Sequence, residues 1–365
     1  MRVWRNFMIL AGAAVMLAAC GDGEAPEQSD GSATADADYA ADIPTGQLGD
    51  FVAPTHYRLD LTIAPTRDDF SGHVEIDVDI AAPTDVIWLH GNRLNVSETY
   101  LTQGETRVAA SWEQVHETGV AKMALAEKVS GEGTLHFRYT APFDTALEGL
   151  YKVTEDGEDY AFTQFEATSA RLAFPSFDEP AFKTPFDIAV TAAEDDVVIT
   201  TTPEVSAEPA GDGLVRRVYA TTKPLPTYLI AFAVGPLDVV EWQALPPTGV
   251  RDRPVPLRGV AAKGKGDQLT YALENTQGIL EALESYFDTP YPYAKLDIIA
   301  VPDFAAGAME NVGAITYREQ LLLLGDGSTV SANRKRAYAR VHAHELAHQW
   351  FGNLVTPKWW NDIWL

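Results

Sequence analysis

The stretch HELAHQWFGNLVTPKWWNDIWL, His344 to Leu365, decides how the second half of this chain is read. Its first five residues put two histidines, His344 and His348, four positions apart around Glu345. On a helix, residues i and i+4 share a face, so two imidazoles at this spacing can grip one metal ion. The glutamate beside the first histidine reaches water next to that metal and suits a general base. Ala337, Val341, His344, His348 and Phe351 recur at spacings of four, three, four and three, which predicts that both histidines lie on the inward stripe of the helix. A catalytic zinc needs a third protein ligand. Asp362 is the nearest later carboxylate and reads as supporting structure rather than as that ligand.

Working backwards, the helix has a candidate N-cap in Ser331. Before it, KLDIIAV (295–301) reads as a buried strand. Leu269, Leu273, Leu280, Leu283 and Phe287 mark one face of an earlier helix, which Pro290 would stop. From Phe51 to about Val240 the period is two: Tyr57, Leu59, Leu61 and Ile63; Val74, Ile76, Val78 and Ile80; Leu135, Phe137 and Tyr139; Phe186, Ile188 and Val190. Such alternation predicts half-buried strands in a sandwich or curved sheet. The expected order is an all-β domain over 51–241, then an α/β segment over 242–365 that begins and does not finish.

The chain has 365 residues, 46% of them hydrophobic, and a formal charge of −25. That acidity repels phosphates and argues against a nucleic-acid partner. Arg2 and Arg5 precede an apolar run from Phe7 to Ala19, the layout of a signal peptide over residues 1–19. The run ends Leu17-Ala18-Ala19-Cys20, which resembles the lipobox of bacterial lipoproteins and implies lipid attachment at Cys20. Cys20 is the single cysteine, so no internal disulfide forms. Residues 20–50 are acidic and contain no Lys or Arg, which predicts a flexible tether. The expected location is the bacterial cell envelope, exported and lipid-anchored on the periplasmic side of a membrane.

GAMEN at Gly307–Asn311, followed by HELAHQWFGNLVT and WWNDIWL, resembles the aminopeptidase N family of zinc metallopeptidases. TQFEATSARLAFPSFDEPAFK (163–183) and YPYAKLDIIAVPDF (291–304) fit the same family, so the resemblance covers nearly all of 51–365. It implies a thermolysin-like catalytic domain, Zn²⁺ as cofactor, and peptides with a free N-terminus as substrates. It implies His344 and His348 as zinc ligands and Glu345 as the catalytic base. Glu166 and Glu310 become anchors for the substrate's α-ammonium. Gln164 lines the pocket for the first side chain, and Gly307, Ala308, Met309 and Asn311 complete the substrate-binding segment, which offers main-chain groups to the peptide.

In the family the third ligand is a glutamate nineteen residues after the second histidine, which here falls past Leu365. A tyrosine that steadies the transition state lies further on. The 365-residue chain alone is therefore expected to be an inactive truncation, with exposed apolar surface near Trp359, Trp360 and Trp364. The rival readings are another zinc hydrolase, such as an endopeptidase, and a non-catalytic peptide-binding lipoprotein. An amine clamp at Glu166 and Glu310 has no use in an endopeptidase.

Overall fold

A computed structural model describes residues 39–40 and 42–363. The signal-like segment and Cys20 lie outside the described residues, as do Trp364 and the side chain of Asp362. No helix among the described residues is long and apolar enough to cross a membrane.

The first architecture is β throughout, in two sheets. An eight-stranded sheet runs, edge to edge, through Glu204–Gly211, Leu214–Tyr219, Phe186–Ala193, Val52–Thr62, Asp69–His90, Val120–Pro142, Asn95–Gln103 and Thr106–Gln114. The four alternating sets of the sequence pair across it. Leu59 faces Val74 on one side and Ile188 on the other, and Val74 in turn faces Phe137. Every residue of those sets is buried. Side chains two apart point to the same face, so one register puts all of them into one core. A four-stranded sheet, ordered Gly149–Glu155, Glu158–Gln164, Phe232–Gly235 and Val197–Thr200, completes this part.

The expected tether is docked at its end. Tyr39 stacks on Phe51 with ring centroids 4.1 Å apart, and its carbonyl accepts from the indole N–H of Trp88 at 2.7 Å. Leu48 is buried, and its N–H donates to Glu179 at 2.5 Å. The acidic composition misleads at these positions because two apolar side chains suffice to anchor the segment.

A third sheet carries the second half: Leu237–Glu241, Leu257–Ala262, Leu296–Val301, Ala314–Arg318 and Ala308–Met309. The middle three strands are parallel, and Leu296–Val301 is buried at every residue, as a strand covered on both faces must be. Leu237–Glu241 pairs antiparallel with Leu257–Ala262 and so extends this sheet.

Three helices accompany it: α1 (Thr270–Phe287), the single turn α2 (Glu319–Leu322) and α3 (Ala332–His348). Leu269, Leu273 and Leu280 are buried, and Leu283 and Phe287 pack against the core from its margin. The buried ion pair between Arg251 Nε and Glu284 Oε1, at 2.7 Å, fastens α1 to the preceding loop. The Ser331 hydroxyl caps α3 by accepting from Arg334 N–H. The helix itself is rich in Ala and Arg and contains neither Gly nor Pro.

Candidate active site

The buried side of α3 is formed by Tyr338, His342, Glu345 and Leu346. The expected inward stripe is therefore displaced by one residue: His344 is exposed, His348 is half-buried, and Phe351 is 48% exposed. One residue is about 100° around a helix. Spacing alone gave the period but not which side meets the sheet. His342, which sequence reasoning passed over, is the inward histidine. It is fully buried, and burial pushes its pKa down to about 3. Its Nε2 lies 3.0 Å from the Thr276 hydroxyl, and its Nδ1 lies 2.7 Å from the Tyr317 hydroxyl. Thr276 already donates to the Ala272 carbonyl, so it accepts from His342 and Tyr317 donates. The neutral imidazole thus pins α3 to α1 and to the sheet.

The rotation leaves the two metal-spaced histidines facing outward together. Their Nε2 atoms are 3.0 Å apart with the rings perpendicular. Two zinc ligands at about 2.0–2.1 Å in a tetrahedron sit roughly 3.3 Å apart, so this pair fits zinc. His348 Nδ1 lies 2.8 Å from the Phe351 carbonyl, which can only accept. That fixes the tautomer with the proton on Nδ1 and the Nε2 lone pair free. The turn that presents this carbonyl needs Gly352, whose φ is +117°. A Cβ there would stand 2.9 Å from His348 Nδ1.

Glu345 is buried, and its Oε2 has no hydrogen-bond partner among the described residues. Burial, reinforced by Glu310 and Glu166, pushes its pKa up to about 9. Glu166 follows the strand Glu158–Gln164. Burial first, then Glu310, pushes its pKa up to about 7. Glu310 Oε1 lies 3.8 Å from His348 Nδ1. Three carboxylates therefore repel one another beside two imidazoles, an arrangement that calls for cations.

The remaining predicted residues divide by position. Ala308–Met309 is the outermost strand of its sheet, with Met309 opposite Thr316. Met309 is fully buried, so its side chain belongs to the core. The Asn311 amide donates to the Thr316 hydroxyl at 3.1 Å and braces the turn after that strand. Gly307 is exposed, Ala308 is half-exposed, and the Gly307 carbonyl accepts from Arg318 N–H at 2.9 Å. Gln164 is buried, with its amide 3.5 Å from the Glu166 carbonyl.

Two further residues, read in the sequence only as part of a motif, do the positioning. Gln349 Nε2 and Asn353 Nδ2 both donate to the backbone carbonyl of Glu310, at 3.0 and 2.8 Å. From the β side, Lys183 Nζ donates to the carbonyls of Asn353 and Leu354 at 3.0 Å. The Tyr228 hydroxyl donates to the Gly352 carbonyl at 3.2 Å. Tyr228 sits in a turn held by Asp178, which accepts from the Thr227 hydroxyl at 2.6 Å and pairs with Arg171 at 2.9 Å. The run from Thr163 to Lys183 thus contributes Glu166 and also builds the support under the end of α3.

Comparison with known proteins agrees with this geometry. Residues 53–229 match the Peptidase M1 N-terminal domain, and residues 271–365 match the Peptidase family M1 domain. The chain belongs to peptidase family M1. It is 36% identical over 335 residues to puromycin-sensitive aminopeptidase of Caenorhabditis elegans, covering 89% of this chain and 34% of that protein. It is 37% identical over 330 residues to human endoplasmic reticulum aminopeptidase 1, covering 87% and 34%. Aminopeptidase M1-A of Oryza sativa is 37% identical over 347 residues, covering 90% and 38%. The chain spans about a third of the length of these relatives. The M1 family is one of metallopeptidases, and the spacing of His344 and His348 suits a metal ion.

The apolar surface expected near the tryptophans is formed by their neighbours in the chain rather than by Trp359 and Trp360. Trp359 and Trp360 are half-buried, and Trp360 packs edge-on against Tyr228 at 5.1 Å. In the segment after α3 the exposed apolar residues are Phe351, Leu354, Val355 and Ile363. The Trp360 indole finds the Tyr228 wall, and these four side chains are left outside.

Proposed function

We propose that this chain carries the metal- and amine-binding part of a zinc aminopeptidase that removes the N-terminal residue from peptides. The observation that carries this reading is the meeting of Glu345, Glu310 and Glu166 next to the converged Nε2 atoms of His344 and His348. Their mutual repulsion is relieved by a divalent metal at the histidines and by an ammonium group between Glu166 and Glu310. A free peptide N-terminus is such an ammonium group.

His344 and His348 would hold zinc through Nε2. When bound, zinc supplies Lewis-acid polarisation of the scissile carbonyl and of water. Glu345 takes a proton from the attacking water and passes it to the leaving amine. Burial and the two neighbouring carboxylates raise its affinity for a proton. Glu166 and Glu310 set the register, so that the bond after the first residue meets Glu345. The strand Ala308–Met309, at the sheet edge, offers main-chain groups for an extended peptide to pair with. Gln164 stands beside Glu166 to contact the first side chain.

The test is hydrolysis by the product of the native gene, loaded with zinc. Peptides with a free N-terminus should be cleaved from that end, and their N-acetylated counterparts should survive. Cleavage of the blocked peptides at internal bonds would overturn the reading.

The exported, membrane-held location is proposed on Leu17–Cys20 following its apolar run. Cys20→Ser should move the protein from the detergent phase to the aqueous phase on partition. An unchanged distribution would remove the anchor.

A further inference from the structure

A second group of ligand side chains lies on the eight-stranded sheet, outside the site above. His73 and Glu75 are two apart on Asp69–His90, and Glu75 pairs directly with His136 on Val120–Pro142. Their neighbours Val74, Ile76 and Phe137 point into the core, so alternation turns these three outward together. Glu75 Oε1 lies 3.4 Å from His136 Nδ1 and 3.8 Å from His73 Nε2. One donor atom from each residue falls within 4.8 Å of the others.

Each of two donors is oriented by a partner on its far side. His136 Nε2 lies 3.0 Å from the Thr102 hydroxyl, and Tyr100 stacks on the ring at 4.4 Å. With its proton on Nε2 donated to Thr102, His136 directs the Nδ1 lone pair into the cluster, where Nδ1 is buried without a hydrogen-bond partner. Arg58 Nε binds Glu75 Oε2 at 2.7 Å and leaves Oε1 to the cluster. The positive charge this brings is offset, because Asp77 holds the other end of Arg58 at 2.6 and 2.8 Å.

We propose that His73 Nε2, Glu75 Oε1 and His136 Nδ1 form a second, zinc-type metal site on the N-terminal β-sheet. Two imidazoles and one carboxylate suit zinc or a neighbouring first-row divalent metal, and do not suit calcium or magnesium, which want oxygen shells. The Glu75–His136 separation already matches the roughly 3.3 Å of a tetrahedral pair. His73, 27% exposed, has room to swing inward and complete the set. Three protein ligands leave a position open to solvent, beside a cavity of about 250 Å³ lined in part by Arg58, His73, Glu75 and Asp187. Such an ion would crosslink strands 61 residues apart at Glu75 and His136.

The test uses the full chain with His344→Gln and His348→Gln, so that zinc at the α3 site cannot contribute and the two proposals fail separately. Calorimetric titration with ZnCl₂ should find one equivalent bound, accompanied by a rise in Tm. His73→Gln or His136→Gln should weaken that binding at least about tenfold, and Thr102→Val, which keeps all three ligands, should weaken it by about tenfold. Co²⁺ in place of zinc should give a visible absorption band that His136→Gln abolishes. Circular dichroism without metal confirms that each variant is folded. If His136→Gln does not fold, His73→Gln and Thr102→Val decide. No zinc bound in the α3-histidine background, or binding unchanged by these substitutions, would overturn the site.

Discussion

The side-chain amide of Gln349 donates to the backbone carbonyl of Glu310 at 3.0 Å, tying the end of α3 to the GAMEN strand. Asn353 donates to the same oxygen at 2.8 Å. The metal-spaced histidines and the Glu310 carboxylate proposed to anchor the amine are thereby held in one frame. Removing either donor leaves a buried carbonyl with a single partner. Gln349→Ala should cost about 0.5–1.5 kcal/mol in a denaturant titration. It should also raise KM more than it lowers kcat, because it loosens Glu310, held at 3.0 Å, while Glu345, whose carbonyl the amide also reaches at 3.3 Å, stays fixed within α3. An equal fall in kcat with KM unchanged would contradict this role.

Glu345→Gln should lower kcat by about a hundredfold to ten-thousandfold while the protein retains zinc by metal analysis. The amide keeps the shape and removes the base. Turnover at the wild-type rate would remove Glu345 from the chemistry.

Gly352→Ala should be damaging out of proportion to one methyl group. The backbone there is at φ +117°, and the added Cβ would press on His348 Nδ1 at 2.9 Å. The expected loss is roughly 1–3 kcal/mol of stability, together with weaker zinc binding as the His348–Phe351 hydrogen bond is displaced. A crystal structure with His348 unmoved, alongside wild-type metal affinity, would refute it.

Stability should fall as pH rises from about 6.5 to about 8, above the range in which the buried neutral His342 makes the fold gain stability with pH. Burial pushes the Glu179 pKa up to about 7, although the Leu48 N–H and Arg171 favour its charge. An unfolded glutamate titrates near about 4.3. The folded state therefore binds the proton more tightly. The stabilisation is complete below about 4.3 and is lost as pH passes through about 7, with a slope of up to about 1.4 kcal/mol per pH unit. Glu166, raised to about 7, acts in the same direction. Tm measured across this range should show the decline, and Glu179→Gln should flatten it. A Tm rising with pH would contradict the assignment.

The 365-residue chain should self-associate through the segment after α3. Phe351, Leu354, Val355 and Ile363 are exposed there at 39–53%. Contiguous exposed apolar groups of this kind drive association. Light scattering should show aggregates that Leu354→Ser with Val355→Thr reduces. A monodisperse wild-type chain would count against this.

Much of this molecule was legible in the sequence, because the signals concerned are local. Alternation at Tyr57–Ile63 or Val74–Ile80 marks a strand with one buried face, and each of those residues is buried. The Ser331 cap acts within one turn of its helix, and the spacing of His344 and His348 puts them on one face, where their Nε2 atoms lie 3.0 Å apart. What tertiary structure decided is whatever depends on how elements lie against one another. A periodic helix can present any side to a sheet, so packing chose His342 and Glu345 for burial and turned His344 outward. Glu166 and Glu310 are 144 residues apart, and only the fold makes each feel the other's charge. The same holds for Glu75 and His136, which a strand register sets face to face. Spacing along the chain reports on neighbours within a turn or a strand; contacts across the core follow from the shapes that pack together there.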